Sequence, residues 1–247
     1  MRSVRIGIVP TGNDLVPLGV APAPGQTIET NTLMAETYLT RMGATCRRYG
    51  IVPDDPAMIR SMLEKAVAEN DFVILILSAG SSAGSRDYSP DVIGTLGEII
   101  FHGIAVRPGK PVLLARVDGK PVLGMPGYPV AAQTVLREIV GDMLCWWGLA
   151  PEGGEELGVR LSRKLASDVG FDEFIPVSVG RIGGVSWATP HPRGVASRWR
   201  WSGRTATSIS RPGARGSGRA KRCVSGSPSR RGGSPARSSA PACALSP

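Results

Sequence analysis

Hydrophobic and polar positions in the first 150 residues alternate between two rhythms. Residues 71–77 (Asp71-Phe72-Val73-Ile74-Leu75-Ile76-Leu77) hold, after the acid, a continuous apolar, β-branched run, the pattern of a strand buried on both faces. Weaker strand signals cover residues 4–10, 46–52, 98–106, 112–117 and 121–125. Between them, apolar residues recur at helical spacing over 30–42, stopping at Gly43, and over 58–69, after the turn Pro53-Asp54-Asp55-Pro56. Ser89-Pro90 opens a helix over 90–96, and a longer helix runs from Pro129 through Trp147. Asp118-Gly119-Lys120 is a hairpin signal between two strands. Strands alternating with helices predict a three-layer α/β/α domain around a largely parallel sheet, over residues 1–149. Beyond a linker from Pro151 to Glu156, short strand signals at Leu161, 174–179 and 185–188 predict an incomplete small β domain over 150–194.

Ligands of such sheets sit beyond the carboxyl ends of the strands. Four loops leave strand ends here: Thr11 to Asp14, Ser78 to Asp87, Arg107 to Lys110 and Pro126 to Pro129. One rim is expected to gather all four. The second is the most informative. Ser78, Gly80, Ser81, Ser82, Gly84 and Ser85 are small residues that let a backbone approach a ligand and aim N–H groups at oxyanions. The acid Asp87 follows directly, so the loop reads as an anion corner with a built-in carboxylate.

Composition divides the chain again. Residues 1–194 hold 18 Lys/Arg and all 20 acids, a net of −2, whereas residues 195–247 hold 11 Lys/Arg and no acid. The overall charge of +9 therefore belongs to an Arg/Ser/Gly/Pro/Ala stretch with few core-forming residues, read as a disordered basic tail. That tail carries no recognisable nucleic-acid motif and is expected to have no specific nucleic-acid partner. Cys46, Cys145, Cys223 and Cys243 have neither metal-site nor disulfide spacing. No signal peptide and no run of about 18 apolar residues is present, so a cytoplasmic protein with no membrane association is expected.

Four motifs in order resemble the molybdopterin molybdenumtransferases, the family that includes the C-terminal part of gephyrin. They are Thr11-Gly12-Asn13-Asp14-Leu15, the stretch from Ser78 to Tyr88, Arg107-Pro108-Gly109-Lys110-Pro111, and Gly124-Met125-Pro126-Gly127-Tyr128-Pro129-Val130. Each alone is weak; four in sequence are specific. The resemblance covers roughly residues 3–148 and resumes at Leu161 to Lys164, Ser167 to Gly170 and Ala188 to Gly194, which are similar to the start of the family's C-terminal β-barrel. It implies insertion of molybdenum from molybdate into adenylylated molybdopterin, with Mg²⁺ and release of AMP. It also implies small-molecule substrates and a homodimer or other oligomer. Carried onto this sequence, it makes Asp14, Asp54 and Asp87 the catalytic acids, with Asp14 and Asp87 as Mg²⁺ ligands. Thr11, Gly12, Ser78, Gly80, Ser81, Ser82, Gly84, Arg107, Gly109, Lys110, Gly127 and Pro129 become substrate-binding positions. The chemistry suits these residue types: a phosphorylated pterin and an oxyanion need N–H donors and cations, and a phosphoanhydride needs carboxylate-held Mg²⁺.

The chain also departs from the family pattern. Asn13-Asp14 stands where an Asp-Glu pair is usual, and Tyr128 and Ala131 stand where many members have Asn and Ser. These differences leave open a pterin-binding module without turnover, or a paralogue preferring tungstate. The family carries two further domains ahead of this one, so a fragment is expected. The switch after Gly194, where a motif like Arg-Ala-Asp-Gly would follow, is read as an out-of-frame segment of GC-rich coding DNA. Sequencing the gene tests this: an in-frame barrel should resume within a nucleotide or two of codon 195.

Overall fold

The computed structural model describes residues 3–77, 87–150, 158–165 and 170–191, and the backbone of 205–210. In chain order the first elements are β1 (Arg5–Pro10), β2 (Leu15–Val16), β3 (Thr27–Ile28), α1 (Asn31–Arg41), β4 (Thr45–Arg48), α2 (Pro56–Glu69) and β5 (Phe72–Leu77). They are followed by α3 (Ser89–Leu96), β6 (Glu98–His102), β7 (Val106–Arg107), β8 (Leu113–Val117) and β9 (Lys120–Pro126). A helical run then comprises α4 (Pro129–Val135), a π-helical stretch over Leu136–Val140, and α5 (Gly141–Trp146).

The main sheet has the order β4-β1-β5-β9-β8-β6. The first four strands are parallel; β8 and β6 are antiparallel to their neighbours. Central β5 shows why its sequence is apolar without a break. Phe72, Ile74 and Ile76 pack into one core with Ala35, Leu39, Ala132, Leu136, Val140 and Leu144. Val73, Leu75 and Leu77 pack into a second core with Ile59, Leu63, Val67, Val92 and Ile93. Helices therefore cover both faces, giving the expected three layers with a largely parallel centre. At about 25 cal/mol per Å² of apolar surface, these two cores are the dominant source of stability.

Helix α2 illustrates how local sequence sets the elements. Asp55 caps it by accepting a hydrogen bond from the Met58 N–H (2.9 Å), and Pro56 occupies the first turn. Ile59, Leu63, Ala66 and Val67 then form its buried face. The β8–β9 hairpin closes through Asp118 (φ +49°) and Gly119 (φ +73°), the two left-handed residues that a two-residue turn requires.

Three boundaries differ from the sequence reading. The strand expected over 46–52 ends at Arg48. The strand expected over 98–106 is two strands, because at Gly103 the chain turns: Gly103 N–H bonds the Val112 carbonyl (2.8 Å) and Ile104 N–H the Lys110 carbonyl (3.0 Å). The helix expected from Pro129 through Trp147 is interrupted by the π-helical stretch.

A second sheet contains β10 (Arg160–Leu161), β11 (Asp172–Ile182), β12 (Val185–Pro190) and β13 (Thr205–Ser210), in the order β10-β12-β11-β13. The two-residue β7 joins it by pairing with the start of β11, Asp172 opposite Val106 and Glu173 opposite Arg107. Thr205–Ser210 falls within the stretch read as a disordered tail. These six residues instead pair antiparallel with β11, and their sequence alternates β-branched Thr205, Thr207 and Ile209 with small residues, a strand pattern. Among the described residues no helix is long and apolar enough to cross a membrane.

Candidate functional site

The carboxyl ends of β1, β5 and β9 lie side by side, and hydrogen bonds lock the loops that leave them. Thr11 is the pivot. Its backbone N–H and its hydroxyl both donate to the Ile76 carbonyl at the end of β5 (3.1 and 2.9 Å), and it bridges to Val52. The Thr11 side chain is buried, so this hydroxyl ties two strand ends together. Gly12 continues the link by donating to the Val52 carbonyl (3.0 Å).

Asp54 joins the same corner. Its carboxylate accepts the Asn13 N–H (3.2 Å), while its own N–H donates to the Asn13 side-chain oxygen (3.0 Å). The neighbouring Asp55 caps α2. Asp14 is half-buried one residue further on, and its carbonyl accepts from Thr27 N–H (2.8 Å) across the short β2–β3 pair.

Asp87 precedes α3. Its Oδ1 accepts the Ser89 N–H (2.9 Å), an Asx-type contact that orients the carboxylate at the helix entry. Ser78, Gly80, Ser81, Ser82 and Gly84, expected to bind substrate, lie outside the described residues.

The remaining two loops meet on α4. Gly127 offers its carbonyl to the Asn31 side-chain amide (2.6 Å), which joins the start of α1 to the end of β9. The Asn31 side-chain oxygen is buried with no hydrogen-bond partner among the described residues. Pro129 begins α4 and is exposed. Because β8 runs antiparallel to β9, with Leu113 opposite Gly124, the loop before β8 returns to this rim. Gly109 (φ +126°) lies flat on α4: a Cβ there would stand 3.2 Å from Val135 Cγ2 and 3.8 Å from the Ala131 carbonyl. The loop thereby presents Arg107 and Lys110, both exposed, beside the second sheet. The guanidinium carbon of Arg107 lies 3.9 Å from the centroid of the Phe171 ring. Sequence reasoning missed Phe171 and Asn31. Asn31 is an amide at a helix start, the kind of residue read as a cap, and Phe171 reaches the rim only through the β7–β11 pairing.

The three acids contribute hard oxygen donors, the type that suits Mg²⁺. No group of three or more His, Cys, Asp or Glu side chains among the described residues forms a metal-holding cluster. Mg²⁺ usually binds one or two carboxylates and takes its other ligands from water and substrate phosphates, and the Asp14 and Asp87 side chains are donors of that type.

Comparison with known proteins agrees with this architecture. Residues 7–145 match the family described as "Probable molybdopterin binding domain". A molybdopterin molybdenumtransferase from Nostoc is 30% identical over 190 residues, covering 74% of this chain and 43% of the relative. A molybdopterin biosynthesis protein from Methanocaldococcus jannaschii is 28% identical over 184 residues, covering 71% of this chain and 44% of that protein. The chain thus spans less than half the length of these relatives. The crystal structure of a molybdopterin biosynthesis MoeA protein from Pyrococcus horikoshii superposes with a TM-score of 0.68 at 28% identity, over 90% of this chain and 53% of the other. Matched over more than half its length, the chain belongs to the molybdopterin-binding domain family of molybdenum cofactor biosynthesis.

Proposed function

We propose that this chain carries the substrate site of a molybdopterin molybdenumtransferase. The reaction takes molybdate and adenylylated molybdopterin and releases AMP. The observation that supports this reading is that the loops carrying Asp14, Arg107 and Lys110 leave or return to the same end of the main sheet. Asp54 is hydrogen-bonded into the Thr11–Asp14 turn, and the Arg107–Lys110 loop packs on α4 through Gly109.

In this reading Arg107 and Lys110 draw in the phosphate and the oxyanion. An oxygen of water or molybdate attacks the phosphoanhydride, whose P–O bond breaks as AMP departs. Asp54, held against Asn13, orients the attacking oxygen. Asp14 and Asp87 would hold Mg²⁺, which neutralises charge on the anhydride when bound. A soluble protein of the cytoplasm, working as an oligomer with the further domains of the longer relatives, fits this role.

The test is AMP release by the full chain supplied with adenylylated molybdopterin, molybdate and Mg²⁺. Asp87→Asn keeps an acceptor for Ser89 N–H and removes the charge. It should fold normally and lose at least about 100-fold in rate, the scale of a missing positioned group. Pterin binding without AMP release would favour the second reading, a module that binds without turnover. That reading has support from Asn13, which puts an amide where the family usually has an acid. Neither binding nor release would sink both.

A further inference from the structure

Phe171 immediately precedes β11 of the second sheet, yet it touches the cationic loop of the first. The Arg107 guanidinium lies over its ring at 3.9 Å, and the Lys110 Nζ is 6.0 Å from the same centroid. The ring is not placed by a long lever. Asp172, the next residue, donates its N–H to the Ala105 carbonyl (2.8 Å), and Glu173 lies opposite Arg107 in the β7–β11 register. The backbone carrying the ring is therefore tied to the same two-residue strand that carries the guanidinium. On the other side, Gly109 fixes the loop against Val135 of α4.

We propose that Phe171 is a positioning residue for an oxyanion subsite, holding Arg107 and Lys110 together as a paired-cation receptor. The proposal rests on the reading of both cations as anion-binding groups. Two physical points support it. Like charges on adjacent exposed side chains repel, and the negative face of an aromatic ring offsets that repulsion. A ring stacked on a guanidinium also occupies its face and does not compete with the N–H donors in its plane, which are the ones that grip an oxyanion. Pre-orienting two rotamer-rich side chains lowers the entropy lost when the anion binds. The second sheet thus takes part in recognition and is more than a neighbour.

The test is calorimetric titration of the full chain with sodium molybdate and with sodium tungstate, using Phe171→Leu and Phe171→Trp. Leucine keeps the apolar volume and removes the ring. It should weaken oxyanion binding by about two- to five-fold, the scale of a cation–π contact at an exposed site. Tryptophan should restore wild-type affinity, and the melting temperature should be the same in all three. A leucine variant that binds like wild type overturns the proposal, as does one whose loss follows a lowered melting temperature that tryptophan shares. If wild type binds neither oxyanion, the reading of Arg107 and Lys110 falls first, and this proposal with it.

Discussion

Gly109→Ala separates two costs that a single glycine can hide. At φ +126° an L-residue sits in backbone space that costs about 1–3 kcal/mol. The new methyl would also stand 3.2 Å from Val135 Cγ2, closer than the 3.5–4.0 Å of a relaxed carbon contact. Val135 is only 1% exposed and belongs to the main core, so it has little room to give. Overpacking of that kind costs about 1–3 kcal/mol. Together the terms reach about 2–6 kcal/mol, a large part of the about 5–15 kcal/mol typical of a domain. Gly119→Ala supplies the control. Its φ is +73°, but nothing lies within 4 Å of an added Cβ, so it carries only the backbone cost of about 1–2 kcal/mol. Urea unfolding followed by far-ultraviolet circular dichroism measures both, with the slope m checking that the two-state comparison holds. Gly109→Ala should lose at least about 1 kcal/mol more than Gly119→Ala. If the two agree within about 0.5 kcal/mol, the loop is not seated on α4 and does not anchor Arg107 and Lys110 there.

Other perturbations probe the same molecule more simply. Asp55→Ala should cost about 1 kcal/mol by removing the α2 cap. Asp54→Ala should leave that cap intact and instead abolish AMP release, and chemical denaturation beside the activity assay distinguishes the adjacent acids. Burial pushes the Cys46 thiol up to about 11 from its ordinary value. Its stabilising contribution is complete below pH 9, where the unfolded thiol is protonated too, and is lost as pH rises from there through the folded value. Denaturation midpoints should therefore fall across that window more steeply in wild type than in Cys46→Ala. At pH 8, iodoacetamide should alkylate folded Cys46 much more slowly than the unfolded chain.

The parts of this fold legible in the sequence are those set by short-range pattern. β5 was readable because a strand buried on both faces must be apolar at every position, and Phe72 to Leu77 meet that condition. The ends of β1, β5 and β9 were readable because small residues, prolines and acids cluster where the apolar runs stop. Other features depend on contacts far apart in sequence. Ile104 to Val106 look like the continuation of β6, and only the hydrogen bonds of Gly103 and Ile104 with the far side of the loop show the chain leaving the sheet. Asp54 and Asp55 are equivalent as letters. Which one caps α2 is decided by the backbone, which points Asp55 at Met58 and Asp54 at Asn13. Phe171 carries no local signal at all, because its partner is brought to it by the two-residue β7, which pairs with the start of β11.

The π-helical stretch between α4 and α5 has a consequence for how this domain tolerates change. Ala132, Leu136, Val140 and Leu144 all enter the same core, at intervals of four. At 3.6 residues per turn a straight α-helix would carry Leu144 about 120° around from Ala132 and out of that core. The wider turns over Leu136–Val140 advance less per residue and cancel much of that drift. They also deliver Trp147 to the edge of Phe72, ring centroids 6.0 Å apart, on the central strand. The helix is therefore phased as well as long. Deleting one residue inside Leu136–Val140 would act as a rotation of everything after it, swinging Leu144 and Trp147 off the sheet by about 100° while shortening the helix by only about 1.5 Å.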